Sequence, residues 1–313
     1  MVRLRVSVII CTYNYGRFLD RCIDSVLTQD DPPDEVIVVD DGSTDETTDV
    51  LSSYKSVCVL RQENAGKTSA FNRGFARSTG DVICHLDADD YWLPHKLEKL
   101  RRIFAEYAVG AVTHSAISVD GSGELLVHRS RRNMDLPDKP IVINFQEALL
   151  SCFLYQPGNA QKKTLGLPNT VSVLRGAVED LMPLPLDLGL AVDGALLLGA
   201  ARHRLLFLRE TLSAYRRHDG NYFAGVQESQ RFQIRLFQWL LEVSMSSDQK
   251  DVRIIKALIN ENKAHFAMQM NRGVVEGVAE SALLIRRLFR SGLLPHWKHF
   301  GLPIACLFRL GGA

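Results

Sequence analysis

No apolar run in the 313 residues approaches the roughly 18 that a membrane helix requires. The longest late candidate, 300–308, is half that length and contains Pro303. Arg3 and Arg5 precede an apolar stretch at 6–11. That stretch is too short for a signal peptide and runs into Thr12-Tyr13-Asn14 without a small-residue cleavage site. These absences predict a soluble, cytoplasmic protein. Charge of one sign is also missing: 37 Lys and Arg stand against 36 Asp and Glu, so no global field holds a nucleic acid. Six cysteines show no CxxC spacing and sit mostly in apolar strings, which predicts buried, reduced thiols. No GxGxxG occurs, which disfavours dinucleotide redox chemistry. Gly66-Lys67-Thr68 fails as a phosphate loop because Arg61 stands where that motif needs glycine. Internal repeats and low-complexity tracts are absent. With 46% apolar and 23% charged residues, wholesale disorder is excluded.

The first third alternates short β-branched runs with helical patterns. Strands are predicted at 6–11, 36–39, 57–60 and 82–86, and helices at 44–53, 68–77 and 93–104. Phe18, Leu19, Cys22, Ile23, Val26 and Leu27 recur at helical spacing between the first two strands. Such alternation predicts an open, mostly parallel α/β sheet flanked by helices, with ligands at the carboxyl ends of its strands. Further on, 111–119 and 124–127 read as a hairpin, 129–140 as a polar loop, 144–152 as a helix, 170–174 as a strand and 192–201 as an apolar helix. From about Gly225 the pattern is helical to the end. Residues 281–313 carry five Lys or Arg and no Asp or Glu, either a solvated cationic face or a contact with an anionic membrane surface.

Polar clusters fall at three of the predicted strand ends. Asp87-Ala88-Asp89-Asp90 follows the fourth strand and, with Asp81, packs four aspartates into ten residues. Like charges at that density are relieved by solvation or by a cation, and Mg²⁺ or Mn²⁺ accepts carboxylate oxygens while leaving positions for phosphates. Asp40-Asp41-Gly42-Ser43-Thr44-Asp45 follows the second strand. It is not an EF-hand, because counting from Asp41 puts Glu46 and Ser52 at the places needing Gly and Glu.

In order, VSVIICTYNYGRFLDRCIDSVLTQ, VIVVDDGSTDET, ENAGKTSAFNRGF and GDVICHLDADDYWLP resemble the corresponding strings of the family two glycosyltransferases. The resemblance implies a GT-A fold, a nucleotide-sugar donor (a UDP-sugar being the common case) and sugar transfer, mostly with inversion, to a carbohydrate, lipid-linked or small-molecule acceptor. Carried over, Thr12, Tyr13 and Asn14 line the nucleotide and Asp40 bonds the base or ribose. Lys67 lies near the base or diphosphate. Asp87 and Ala88 reach the ribose or sugar, and Asp89 ligates Mn²⁺ or Mg²⁺.

In the second half, Asp193 corresponds to the acidic residue that opens a helix and serves as general base. Val192 stands where the family often has Glu, so Asp187, Glu179 and Asp180 remain rivals. Tyr215-Arg216-Arg217-His218 matches a YRxH-type string, which implies diphosphate contacts for Arg216 and Arg217 and a metal or diphosphate contact for His218. The implied organisation is a transferase domain over 1–224, with a donor half (1–110) and an acceptor half (111–224), followed by a helical region over 225–313. Two other readings stay open: a non-catalytic nucleotide-sugar-binding module, and a sugar nucleotidyltransferase releasing pyrophosphate.

Overall fold

Unbroken β-branched runs need cover on both faces, and the fold supplies it with helices on either side of one sheet. The computed structural model describes residues 3–126, 140–153, 168–220, 226–243 and 249–270. Strand and helix alternate through β1 (Val6–Thr12), α1 (Gly16–Leu27), β2 (Glu35–Asp40), α2 (Thr47–Ser52), β3 (Cys58–Arg61), α3 (Lys67–Arg77) and β4 (Val82–Asp87). These four strands pair in parallel in the order β3-β2-β1-β4. Alternate residues of β1 feed two cores. Val6, Val8 and Ile10 pack with Leu19, Cys22, Ile23 and Val26 of α1, while Ile9 and Cys11 pack with Ala70, Phe71 and Phe75 of α3. α3 lies close to the sheet because Gly74 faces it: a Cβ there would stand 2.6 Å from Ile9 Cγ2.

Beyond β4 the chain adds β5 (Tyr91–Trp92), α4 (Lys96–Glu106), β6 (Ala111–Val119), β7 (Ile141–Ile143), α5 (Phe145–Phe153), β8 (Ser172–Leu174), α6 (Val192–Ala200) and β9 (Leu205–Arg216). Here the sheet stops being purely parallel. β8 runs antiparallel to β4, β6 antiparallel to β8, and β9 parallel to β6. Two reversals restore the original direction, so β9 ends at the same rim as β1, β2 and β4. β5 and β7 are short antiparallel partners of β9. The expected hairpin at 111–127 reduces to a turn with one bridge, Val119 to Leu125, because β6 takes β9 as its long partner. The helices expected at 44–53 and 93–104 start later, at Thr47 and Lys96.

α7 (Val226–Val243) and α8 (Gln249–Met270) continue the same core. Leu236, Phe237, Trp239 and Leu240 join Ile254, Ile255, Leu258 and Ile259 against the apolar faces of α5 and α6. Cys11, Cys22, Cys58 and Cys84 are free thiols, three of them buried. No helix among the described residues is long and apolar enough to cross a membrane. The polar stretch at 129–139, residues 154–167 of the expected acceptor region and the cationic 281–313 segment lie outside the described residues.

Candidate active site

The carboxyl ends of β1, β2, β4 and β9 form one rim. At the end of β1, Thr12 is buried with its Oγ1 unpartnered among the described residues, and Tyr13 is 45% exposed. Asn14 has a left-handed backbone (φ 58°), and its Oδ1 accepts the Thr44 N–H at 2.8 Å. Asp40 is buried at the end of β2, where its Oδ1 accepts the Ser43 N–H at 2.9 Å. Asp41 accepts the Ala65 and Gly66 N–H groups at 2.9 and 2.8 Å. Those bonds fix the turn that delivers Lys67 to the start of α3. Gly66, with φ of 88°, occupies backbone space that a side chain would strain.

Behind this turn lies a cluster of two carboxylates and two basic groups. Lys67 Nζ is 2.6 Å from Asp87 Oδ1 and 3.2 Å from Asp193 Oδ2. The His85 imidazole meets Asp193 Oδ1 through Nδ1 at 2.7 Å, and its Nε2 is 3.7 Å from Asp87 Oδ1. Burial opposes the Asp193 charge, but Lys67 and His85 outweigh it and hold the carboxyl at about 2. Burial and the Lys67 charge oppose a protonated His85, but Asp193 outweighs both and pushes the imidazole up to about 10. Lys67 is likewise raised above its ordinary value by Asp193 and Asp87 against the cost of burial. Asp87 goes the other way: burial pushes it up, and the pull of Lys67 and His85 does not fully offset that.

The aspartate turn meets the end of β9. His218 Nε2 lies 3.1 Å from Asp89 Oδ2, although 129 residues separate them. His218 Nδ1 accepts the Gly220 N–H at 3.1 Å, and the ring packs against Phe18 with centroids 4.6 Å apart. Asp90 is buried; its Oδ1 accepts the Arg216 N–H at 2.8 Å, and its Oδ2 has no hydrogen-bond partner among the described residues. Burial, then the Asp89 and Asp87 charges, pushes the Asp90 carboxyl well up. Oxygens of Asp87, Asp89 and Asp90 all lie within 4.8 Å of one another. Crowded carboxylates, an orphaned buried oxygen and an adjacent imidazole suit a hard divalent cation.

The sequence-based site residues thus divide into three groups. Asp89 with His218, and Lys67 with Asp87 and Asp193, are brought together. Arg216 is built into the wall: its guanidinium donates to the Asp89 and Gly121 carbonyls at 2.8 Å and stacks on Phe18 and Tyr91. Arg217 donates its N–H to the Val119 carbonyl and lies over the Tyr215 ring, and Ala88 is buried in the core beneath the turn. The rivals to Asp193 are peripheral. Asp187 pairs with Arg235 at 2.5 Å, Asp180 pairs with Arg202, and Glu179 is exposed.

Sequence reasoning missed His85, Tyr15 and Phe18. A signal existed for His85: it is the one basic residue of β4, two positions before Asp87 and therefore on the same face. Tyr15 and Phe18 read as ordinary helix-flanking aromatics, and only the return of β9 reveals the imidazole between them.

A known family and several known folds match this chain. Glycosyl transferase family 2, as a family model, matches residues 7–171. An uncharacterized glycosyltransferase of Nostoc sp. is 33% identical over 225 residues, covering 70% of this chain and 66% of that protein. The next two curated relatives are spanned over only 49% and 15% of their length. Among solved structures, S. aureus TarS residues 1–349 superpose with a TM-score of 0.63 at 18% identity, covering 91% of this chain and 79% of TarS. A mannosyltransferase of Pyrobaculum calidifontis, solved with GDP-Man and Mn²⁺, gives 0.51 at 20% identity, over 92% of this chain and 81% of its own. These likenesses bear out the expected GT-A architecture. The family match spans more than half of the chain and contains the ends of β1, β2 and β4 together with Lys67 and Asp89: the protein belongs to glycosyl transferase family 2.

Proposed function

We propose that the protein transfers a sugar, with inversion, from a nucleoside-diphosphate sugar to an acceptor hydroxyl, with Asp193 as general base. One observation carries the reading: Asp193, joined through Lys67 to Asp87, and the Asp89–His218 pair, distant in sequence, both adjoin the end of β4. Thr12, Tyr13, Asn14 and Asp40 bind the nucleoside, and Asp87 binds the ribose or sugar. A UDP-sugar is favoured as donor, supported by TarS, a fold neighbour also solved with UDP and with UDP-GlcNAc. The donor half is 1–110 and the acceptor half 111–224, with carbohydrate, lipid-linked or small-molecule acceptors. The region over 225–313 carries the basic segment 281–313, either a solvated cationic face or a contact with an anionic membrane surface.

Asp89 and His218, with carboxylate oxygens of Asp87 and Asp90 close to Asp89, would hold Mn²⁺ or Mg²⁺. When bound, such a cation supplies positive charge to the donor diphosphate. Asp193 takes the acceptor's hydroxyl proton while that oxygen bonds to the anomeric carbon and the bond to the diphosphate breaks. General-base assistance of this kind is worth ~10²–10⁴-fold. The wall of Arg216, Phe18 and Tyr91 keeps the aspartate turn in place during the transfer.

The test is a panel of UDP-, GDP- and dTDP-sugars with Mn²⁺, read by thermal shift and by released product. Stabilisation by one nucleotide class and release of the nucleoside diphosphate are expected. Pyrophosphate release from a nucleoside triphosphate would establish a nucleotidyltransferase instead, and binding without turnover a non-catalytic module. Asp193→Asn should retain donor binding and lose transfer.

A further inference from the structure

Both carboxylate oxygens of Asp193 are occupied, and their two partners differ physically. His85 holds Oδ1 from an interior strand. It is fully buried, lies in register between Ile9 of β1 and the β8 side of the sheet, and meets Phe71 edge-on with ring centroids 5.4 Å apart. Two torsions and this packing leave the imidazole a single place to be. Lys67 holds Oδ2 at the end of a flexible four-carbon stem, is 14% exposed, and divides its ammonium between Asp193 and Asp87. One contact is therefore fixed and the other exchangeable.

Nothing in the folding of β4 calls for an imidazole. Val82, Ile83, Cys84 and Leu86 show that the strand is satisfied by apolar side chains on both faces. An aromatic hydrocarbon would fill the space beside Phe71 without the cost of desolvating a polar ring. What only His85 provides is a donor to Asp193 Oδ1.

We propose that His85 is a positioning residue: it pins Asp193 by Oδ1, so that Oδ2, on release from Lys67, is the oxygen that meets the acceptor. The inference rests on the reading of Asp193 as the base and deepens it. The carboxylate of a residue that opens a helix turns freely about two torsions. Pinning one oxygen aims the other, and a displacement of ~1 Å at a reacting group can cost on the order of 10²-fold in rate.

The experiment compares the full chain with His85→Phe, His85→Asn and Asp193→Asn. Hydrolysis of the preferred UDP-sugar from the donor panel is followed with Mn²⁺ and with water as acceptor. His85→Phe keeps the ring volume and removes the donor; His85→Asn places an amide N–H where Nδ1 stands. His85→Phe should lower kcat by about 10²-fold with little change in the donor KM. His85→Asn should recover about tenfold of that loss, which a space-filling role would not produce. Wild-type kcat in His85→Phe, or an Asn variant no faster than the Phe variant, overturns the positioning role even when Asp193→Asn is inactive. Turnover retained in Asp193→Asn overturns the base assignment itself. If UDP fails to stabilise His85→Phe, His85→Asn is compared with His85→Gln, whose amide falls nearer the Nε2 position. Asn must then be the faster, and equal rates overturn the proposal.

Discussion

His85 Nδ1 stands 2.7 Å from Asp193 Oδ1, tying an interior strand to the first turn of α6 across 108 residues of chain. The pair makes stability depend on pH with a definite sign. His85 rises from 6.5 to about 10 on folding, so its contribution is complete below 6.5 and is lost as pH climbs towards 10. Asp193 falls from 3.8 to about 2, so its contribution is present above 3.8 and is lost as pH drops towards 2. Measured by calorimetry against His85→Phe, the wild type should lose stability as pH rises from about 6.5 to about 10, by on the order of a few kcal/mol. A constant difference between the two proteins across that window would mean that the pair does not carry this dependence.

The second expectation concerns Asp89 and His218, 3.1 Å apart at the rim. If together they hold a divalent cation, UDP should raise the melting temperature more with Mn²⁺ than without it. Binding at 100 times Kd stabilises by about 2.7 kcal/mol, which a thermal shift resolves readily. Asp89→Ala and His218→Ala should each remove the Mn²⁺-dependent part and leave the metal-free shift nearly intact. An undiminished Mn²⁺ effect in both variants would move the cation to other ligands.

The donor-side half of the site was legible in the sequence because its signals are local. Strand β4 and the aspartates that follow it are adjacent in the chain, and Gly66 marks the turn before Lys67. The other half depends on topology. β9 reaches the rim only because the antiparallel β8 and β6 reverse the sheet twice, and no spacing in the sequence carries that information. Lys67 shows the same division. The family resemblance implied a place near the base or diphosphate, whereas the fold sets its ammonium between Asp87 and Asp193, the latter supplied by a helix 126 residues further on. Arg216 read as a cation for phosphate, yet its hydrogen bonds to two carbonyls and its stacking on Phe18 arise only when β9 lies beside β5.

Lys96 gives a pH dependence of the opposite sign. Its side chain is fully buried, donates to the Asn169 carbonyl at 2.8 Å and lies 4.0 Å over the Trp92 ring. Burial lowers it to about 7, so between about 7 and 10.5 the unfolded chain binds the proton that the folded one has released. Stability from this group therefore grows as pH rises through that window. Lys96→Met keeps the stem's volume and removes the charge. Measured by urea unfolding, the wild type should gain on Lys96→Met as pH is raised from about 7 to about 10. A constant difference would mean that the ammonium stays charged in the core.

Lys67→Met separates the free protein from the donor complex. With the ammonium removed, Asp193 loses one of the two groups that hold it at about 2 and faces the Asp87 charge directly, so its carboxyl must rise. Loss of one partner from a buried pair also costs ~3–5 kcal/mol, which should appear as a lower melting temperature. The kinetic consequence is sharper. The acid limb of kcat/KM reports the unliganded protein, where Lys67 touches Asp193, while that of kcat reports the donor complex. If Lys67 leaves Asp193 when donor binds, the variant should shift the acid limb of kcat/KM to higher pH and move that of kcat much less. Equal shifts in both would mean that Lys67 stays on Asp193 Oδ2 throughout turnover, and that the acceptor proton leaves by another oxygen.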